Sequence, residues 1–110
     1  MFQNTIDIIE ERLRKTESIT EENKSELLTL LSTLKVEIAD LSKTSNEQAE
    51  SITGFAEIST REATRQEKDP ELIKLSIEGL RSSVHGFEAS HPKLVNVVNT
   101  ISSMLSNLGI

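Results

Sequence analysis

From Ile73 onward, apolar residues recur at alternating intervals of four and three: Ile73, Ile77, Leu80, Val84 and Phe87, then Leu94, Val98, Ile101, Leu105 and Leu108. The one polar position in the series is His91, which Pro92 follows. This is a heptad seam, the pattern of helices that pack along their length. An earlier stretch keeps the same rhythm at Leu27, Leu31, Leu34, Ile38 and Leu41. Carried forward in register, it meets polar Ser45 and Gln48, becomes apolar again at Ile52 and Phe55, and fades at Ser59 and Glu62. A shorter stripe of Ile6, Ile9 and Leu13 lies near the start.

Punctuation between the stripes sets the expected elements. Asn4 or Thr5 is suited to cap a first helix over about 5–15, and Arg12, Arg14 and Lys15 suit its C-terminal dipole. Thr20, followed by Glu21 and Glu22, reads as the next helix start. No proline interrupts the chain from there to Asp69, and Gly54 alone is only mildly unfavourable, so one long helix is predicted over about 20–67. The alternative is a break at Ser42–Gln48, where Ser, Thr and Asn replace apolar residues. Asp69-Pro70 combines a capping side chain with a proline at the first helical position. A helix over about 70–90 is expected to kink at Pro92 into a helix over about 92–108, because the heptad runs through the proline in phase. Gly109 suits a Schellman ending with Ile110 folded back on Leu105.

The fold class this predicts is all-α: a long, coiled-coil-like antiparallel hairpin with a short N-terminal helix. A turn at Asp69 would set Phe55 near Val84, Ile52 near Phe87, Leu41 near Val98, Ile38 near Ile101, Leu34 near Leu105 and Leu31 near Leu108. The same register places Ser45 and Gln48 opposite His91, a polar layer that avoids a cost of roughly 1–3 kcal/mol for an unpaired buried group. Leu28, Leu30, Val36, Ile58, Leu72, Leu75, Val95, Val97 and Met104 lie off the seam, which predicts a homodimer built as a helical bundle.

Composition narrows the function classes. With 110 residues the chain has room for one domain. A net charge of −6 and scattered Lys and Arg disfavour nucleic acid and anionic membrane surfaces as partners. The chain has no Cys, which excludes thiolate chemistry. Its N-terminal residues carry no basic or apolar leader pattern, and no apolar run would span a membrane, so a cytoplasmic location is expected. Glu88 and His91 stand three apart, the spacing of the carboxylate-bridged di-iron motif in ferritin-like bundles. The facing positions Ser45 and Gln48 supply no further carboxylate, so no metal or cofactor is predicted. His85 has no third ligand at zinc spacing. No nucleophile elbow or phosphate-cradling loop occurs, and the chain is not read as an enzyme.

The segment Phe87-Glu88-Ala89-Ser90-His91-Pro92-Lys93-Leu94 and the ending Ser106-Asn107-Leu108-Gly109-Ile110 resemble a bacterial family, domain of unknown function 4404. Its members carry an F-E-x-S-H-P-x-L segment and a terminus close to N-[ML]-G-I. The Leu-rich run Ser25–Leu31 is similar to the family's middle. The resemblance implies a short helical protein of bacterial cytosolic origin and carries no activity with it. The function expected from the residues is a non-enzymatic helical protein–protein interaction module, a scaffold or adaptor. The alternative is a metal- or ligand-binding bundle centred on Glu88 and His91.

Overall fold

The computed structural model describes residues 2–109. They form α1 (Phe2–Lys15), α2 (Glu21–Ser42), α3 (Asn46–Ala63), α4 (Pro70–Ser83) and α5 (Pro92–Gly109). The class is all-α, as expected, but the architecture is a compact bundle and not a long hairpin. A continuous helix over 20–67 would reach about 70 Å at 1.5 Å per residue. The longest axis of the molecule is 38 Å.

The long helix is interrupted because its polar stretch competes for its own carbonyls. The Ser42 hydroxyl donates to Ala39 O at 2.8 Å and the Thr44 hydroxyl to Leu41 O at 3.3 Å. The backbone N–H groups of Thr44 and Ser45 also turn back to Leu41 O. Short hydroxyl side chains offer the backbone such alternatives to helix, and here they prevail. Ser45 leaves the helical region with φ −151° and ψ 79°, and α3 starts at Asn46.

The expected kink at Pro92 is instead a reversal of direction. The helix stops at Ser83, well short of residue 90, and a linked set of turns follows. Gly86 sits at φ 99°, a conformation open to glycine and strained for L side chains. Pro92 then opens α5. Proline disfavours helical geometry in the residue before it and suits the first helical position, where its missing N–H removes no bond. The phase of the heptad survives the turn because both helices bury the same core, not because they are continuous.

Other boundaries follow the sequence closely. The Thr20 hydroxyl accepts from Asn23 N–H at 3.2 Å. Asp69 accepts from Glu71 N–H at 3.0 Å and Leu72 N–H at 3.4 Å, with Pro70 opening α4. The first helix departs from the expected start: it begins at Phe2, so Asn4 and Thr5 lie within it, while its end at Lys15 is as expected. Gly109 is the last residue of α5, and the predicted fold-back of Ile110 lies outside the described residues.

Side-chain contacts fix the directions. Lys35 meets Asp7 at 2.8 Å and Lys24 reaches Arg14 O at 3.2 Å, so α1 and α2 are antiparallel. Arg12 bonds Thr64 at 2.8 Å, placing the ends of α1 and α3 together. Phe55 lies on Gly79 and the Ser59 hydroxyl donates to Ser76 O at 2.9 Å, which sets α3 against α4. Arg81 reaches Ser103 while Gly109 lies against Ile73, so α4 and α5 are antiparallel. The result is an up-and-down bundle in two layers. Among the described residues, α1 and α4 flank α3 without touching each other, and α2 and α5 pack beneath. The predicted Phe55–Val84 pairing gives way to Phe55 on Gly79, because the α3–α4 contacts centre the turn near Glu67–Lys68 and not on Asp69.

At the centre, α3 buries Ala49, Thr53, Ala56, Thr60 and Ala63 alongside Ile52 and Ser59. Their small size admits neighbours from all four other helices. The hydroxyls stay satisfied by donating one turn back: Thr53 to Ala49 O, Thr60 to Ala56 O and Ser59 to Phe55 O. No buried side-chain nitrogen or oxygen among the described residues lacks a partner. Ala56→Leu should therefore push α3 off its neighbours and cost about 1–3 kcal/mol in urea denaturation. Asp69→Ala should lose about 1 kcal/mol through the missing cap alone. An Ala56→Leu protein as stable as the parent would show that α3 is not enclosed.

Candidate interaction surface

The outer side of the α1–α3–α4 layer carries most of the large apolar residues left in solvent. On α4, Leu72 and Leu75 are 42% and 54% exposed, and they share a stripe with Gly79. On α3, Phe55 and Ile58 are each 38% exposed. Phe55 fills the space that a side chain at position 79 would need, so its ring lies across α4 and joins the two stripes. On α1, exposed Ile8 is one turn before Arg12 and shares the side that reaches α3. Val36, on α2, is exposed elsewhere.

This sorts the off-seam residues that suggest self-association. Val95 and Val97 are covered within the chain, and Leu28, Leu30 and Met104 are partly covered. Ile58, Leu72 and Leu75 remain and fall on one face, with Val36 apart. Polar groups edge this face. Glu62, nearly buried at the end of α3, holds Arg65 at 2.9 Å and has Arg61 at 3.8 Å. The hydrogen bond and charge of Glu62 raise the Arg65 pKa above its ordinary value. A second apolar feature is a groove of about 560 Å³ between α4 and α5, floored by Ile73 and Ile77.

The predicted polar layer is not assembled. Gln48 is exposed on α3, and Ser45 stands at the helix start without a side-chain capping bond. His91 instead faces Asp40, with Nε2 3.7 Å from the carboxylate, close enough for an ion pair when the ring is protonated. Its Nδ1 lies 3.1 Å from Ser90 Oγ, and its ring meets Phe87 edge-on at 5.9 Å. The break before α3 is the physical reason: it turns Gln48 out of the seam that a continuous helix would have aligned with His91.

Glu88 and His91 also part. The Glu88 carboxylate accepts from Gly86 N–H at 2.9 Å and lies 3.9 Å from the His85 ring. No group of three His, Asp or Glu side chains gathers among the described residues. None of the described helices is long and apolar enough to cross a membrane.

Glu88 thus closes the turn that Gly86 opens. Hydrogen bonds from its own backbone N–H and from Gly86, with the nearby His85, pull its pKa below the ordinary carboxylate value against opposing desolvation. A depressed folded-state value gives stabilisation that is present above the unfolded pKa and lost as pH falls through the folded one. Glu88→Gln should lower stability at neutral pH and flatten this part of the acid limb. Denaturant titrations from neutral to acid pH check it; parallel curves for the two proteins would rule out the role.

The comparisons with known proteins come down to one family. No curated protein and no solved structure matches the chain. A family model does match, over residues 27–110, from the first seam residue of α2 to the end of the sequence. It takes in the Leu-rich run from Leu27, the Phe87–Leu94 segment and the Asn107–Ile110 ending. On that match, which spans well over half of the sequence, the chain belongs to the family described as domain of unknown function (DUF4404).

Proposed function

We propose that this chain is a non-enzymatic helical interaction module that works as a homodimer through the outer face of its α1–α3–α4 layer. The observation that carries the reading is the gathering of Phe55, Ile58, Leu72 and Leu75 on one side of the bundle. Contiguous apolar patches on soluble domains mark contact surfaces, whereas singly scattered residues such as Val36 need no such account. The interior gives further support. Most apolar residues of the seams are already buried within one chain, so the exposed set is not a failed core awaiting rearrangement. Cyclic dimers, which use one patch twice, are the commonest closed assembly. The dimer would present α2, α5 and the α4–α5 groove to a further protein partner, as a scaffold or adaptor requires.

Sedimentation at tens of micromolar should give about twice the chain mass of 12.2 kDa. Leu75→Glu places a charge in the middle of the patch and should yield a monomer with an unchanged helical circular dichroism spectrum. A wild-type monomer at that concentration, or a Leu75→Glu dimer of unchanged affinity, overturns the reading.

A further inference from the structure

We infer that the two copies pair through α3 running antiparallel to its partner copy, with the two-fold axis at Gly54. This rests on the homodimer reading above and specifies its geometry. The outward stripe of α3 is Glu47, Ser51, Gly54, Ile58 and Arg61, spaced four, three, four and three. Four of these residues are exposed and Gly54 is half-buried. A four-three stripe with small residues at its centre is the arrangement that lets two helices approach closely along their length. Ser51 and Gly54 supply the small centre, and a side chain built at Gly54 meets nothing within 4 Å in a single copy.

Charge fixes the direction. Glu47 and Arg61 lie one heptad to either side of Gly54, one acidic and one basic. An antiparallel pairing about Gly54 sets Glu47 of each copy against Arg61 of the other, twice. A parallel pairing would set like against like at both ends. Arg61 is free to turn outward: its side chain is 53% exposed, and its 3.8 Å contact is to a Glu62 that Arg65 already holds. Phe55, Leu72 and Leu75 then flank the crossing on the α4 side, Ile58 lies in the stripe itself, and Ile8 flanks the crossing on the α1 side. The patch is covered by its own symmetry mate.

The chain contains no cysteine, so single introduced thiols report the axis cleanly. A residue on a two-fold axis meets its own copy. Gly54→Cys should oxidise to a covalent dimer or join through a short bis-maleimide. Ser51→Cys should form no disulfide, because its two copies would stand about 9 Å apart along the helices at 1.5 Å per residue. Glu47→Arg and Arg61→Glu should each weaken dimerisation about tenfold, and the double variant should return to within about threefold of wild type. A wild-type monomer removes the homodimer reading itself. A different outcome separates the two claims: a wild-type dimer that Leu75→Glu disrupts, while the Gly54→Cys protein fails to cross-link and the charge swap fails to rescue. That result leaves the homodimer standing and overturns the axis at Gly54.

Discussion

The structure depends on how closely other helices can approach α3. It touches all four of its neighbours, and a helix can do so only if its inward side chains are short. Ala49, Thr53, Ala56, Thr60 and Ala63 repeat at four-three spacing, a second heptad written in small residues. Thr53 and Thr60 of this series, and Ser59 beside it, bring hydroxyls into the interior, yet each donates to a carbonyl within α3. The interior therefore carries these polar atoms without leaving them unpaired. Leu27, Leu31, Leu34, Ile38 and Leu41 on α2, and Leu94, Val98, Ile101 and Leu105 on α5, then close over a thin centre.

This explains which parts of the fold are legible in the sequence. Large apolar stripes on α2, α4 and α5 announce themselves, and so do Thr20, Asp69 and Pro70, whose capping chemistry is local. The role of α3 is hidden, because Ser59 and Glu62 look like a fading seam although both are buried. The signal is the small-residue heptad beside the large one, and hydrophobicity alone passes over it. The unbroken helix over 20–67 and the kink at Pro92 mislead for a common cause, although the first break falls inside Ser42–Gln48, the alternative that the sequence offers. Heptad phase persists through Ser42–Ser45 and through Val84–His91, and phase continuity is easily taken for helix continuity. Phase records only that each segment buries a stripe against the same core; hydroxyl back-bonding and a positive-φ glycine decide where the backbone stops.

The same breaks displace the expected polar site. Ser45, Gln48 and His91 align only on a hairpin of two unbroken helices. Once α2 and α3 turn separately, His91 finds Asp40 at the end of α2, and Glu88 is absorbed by Gly86 and His85. The Phe87–Leu94 segment that carries the family resemblance is thus accounted for by structure. It supplies an edge-on aromatic contact, a carboxylate that holds a glycine turn, and a proline that starts a helix. The exposed apolar residues are partly legible: Ile58, Leu72 and Leu75 are off the seam in the sequence and exposed in the structure, while Val95 and Val97, also off the seam, are buried within the chain.

One asymmetry of α3 bears on what the outer face is for. Its inward stripe is small because four helices converge on it. Its outward stripe is also small at the centre, with Ser51 exposed and Gly54 open to a side chain that would meet nothing in the same copy. A solvent-facing helix gains nothing from glycine, which lowers its intrinsic stability by roughly 1 kcal/mol relative to alanine. Long polar side chains would serve solubility better at both positions. Close approach by another backbone gives glycine there a purpose, and large apolar residues on either side of it give that approach a driving force. The constraint that shapes the interior, short side chains where helices must come near, is then written on both sides of α3, and the proposed partner is the same helix of a second copy.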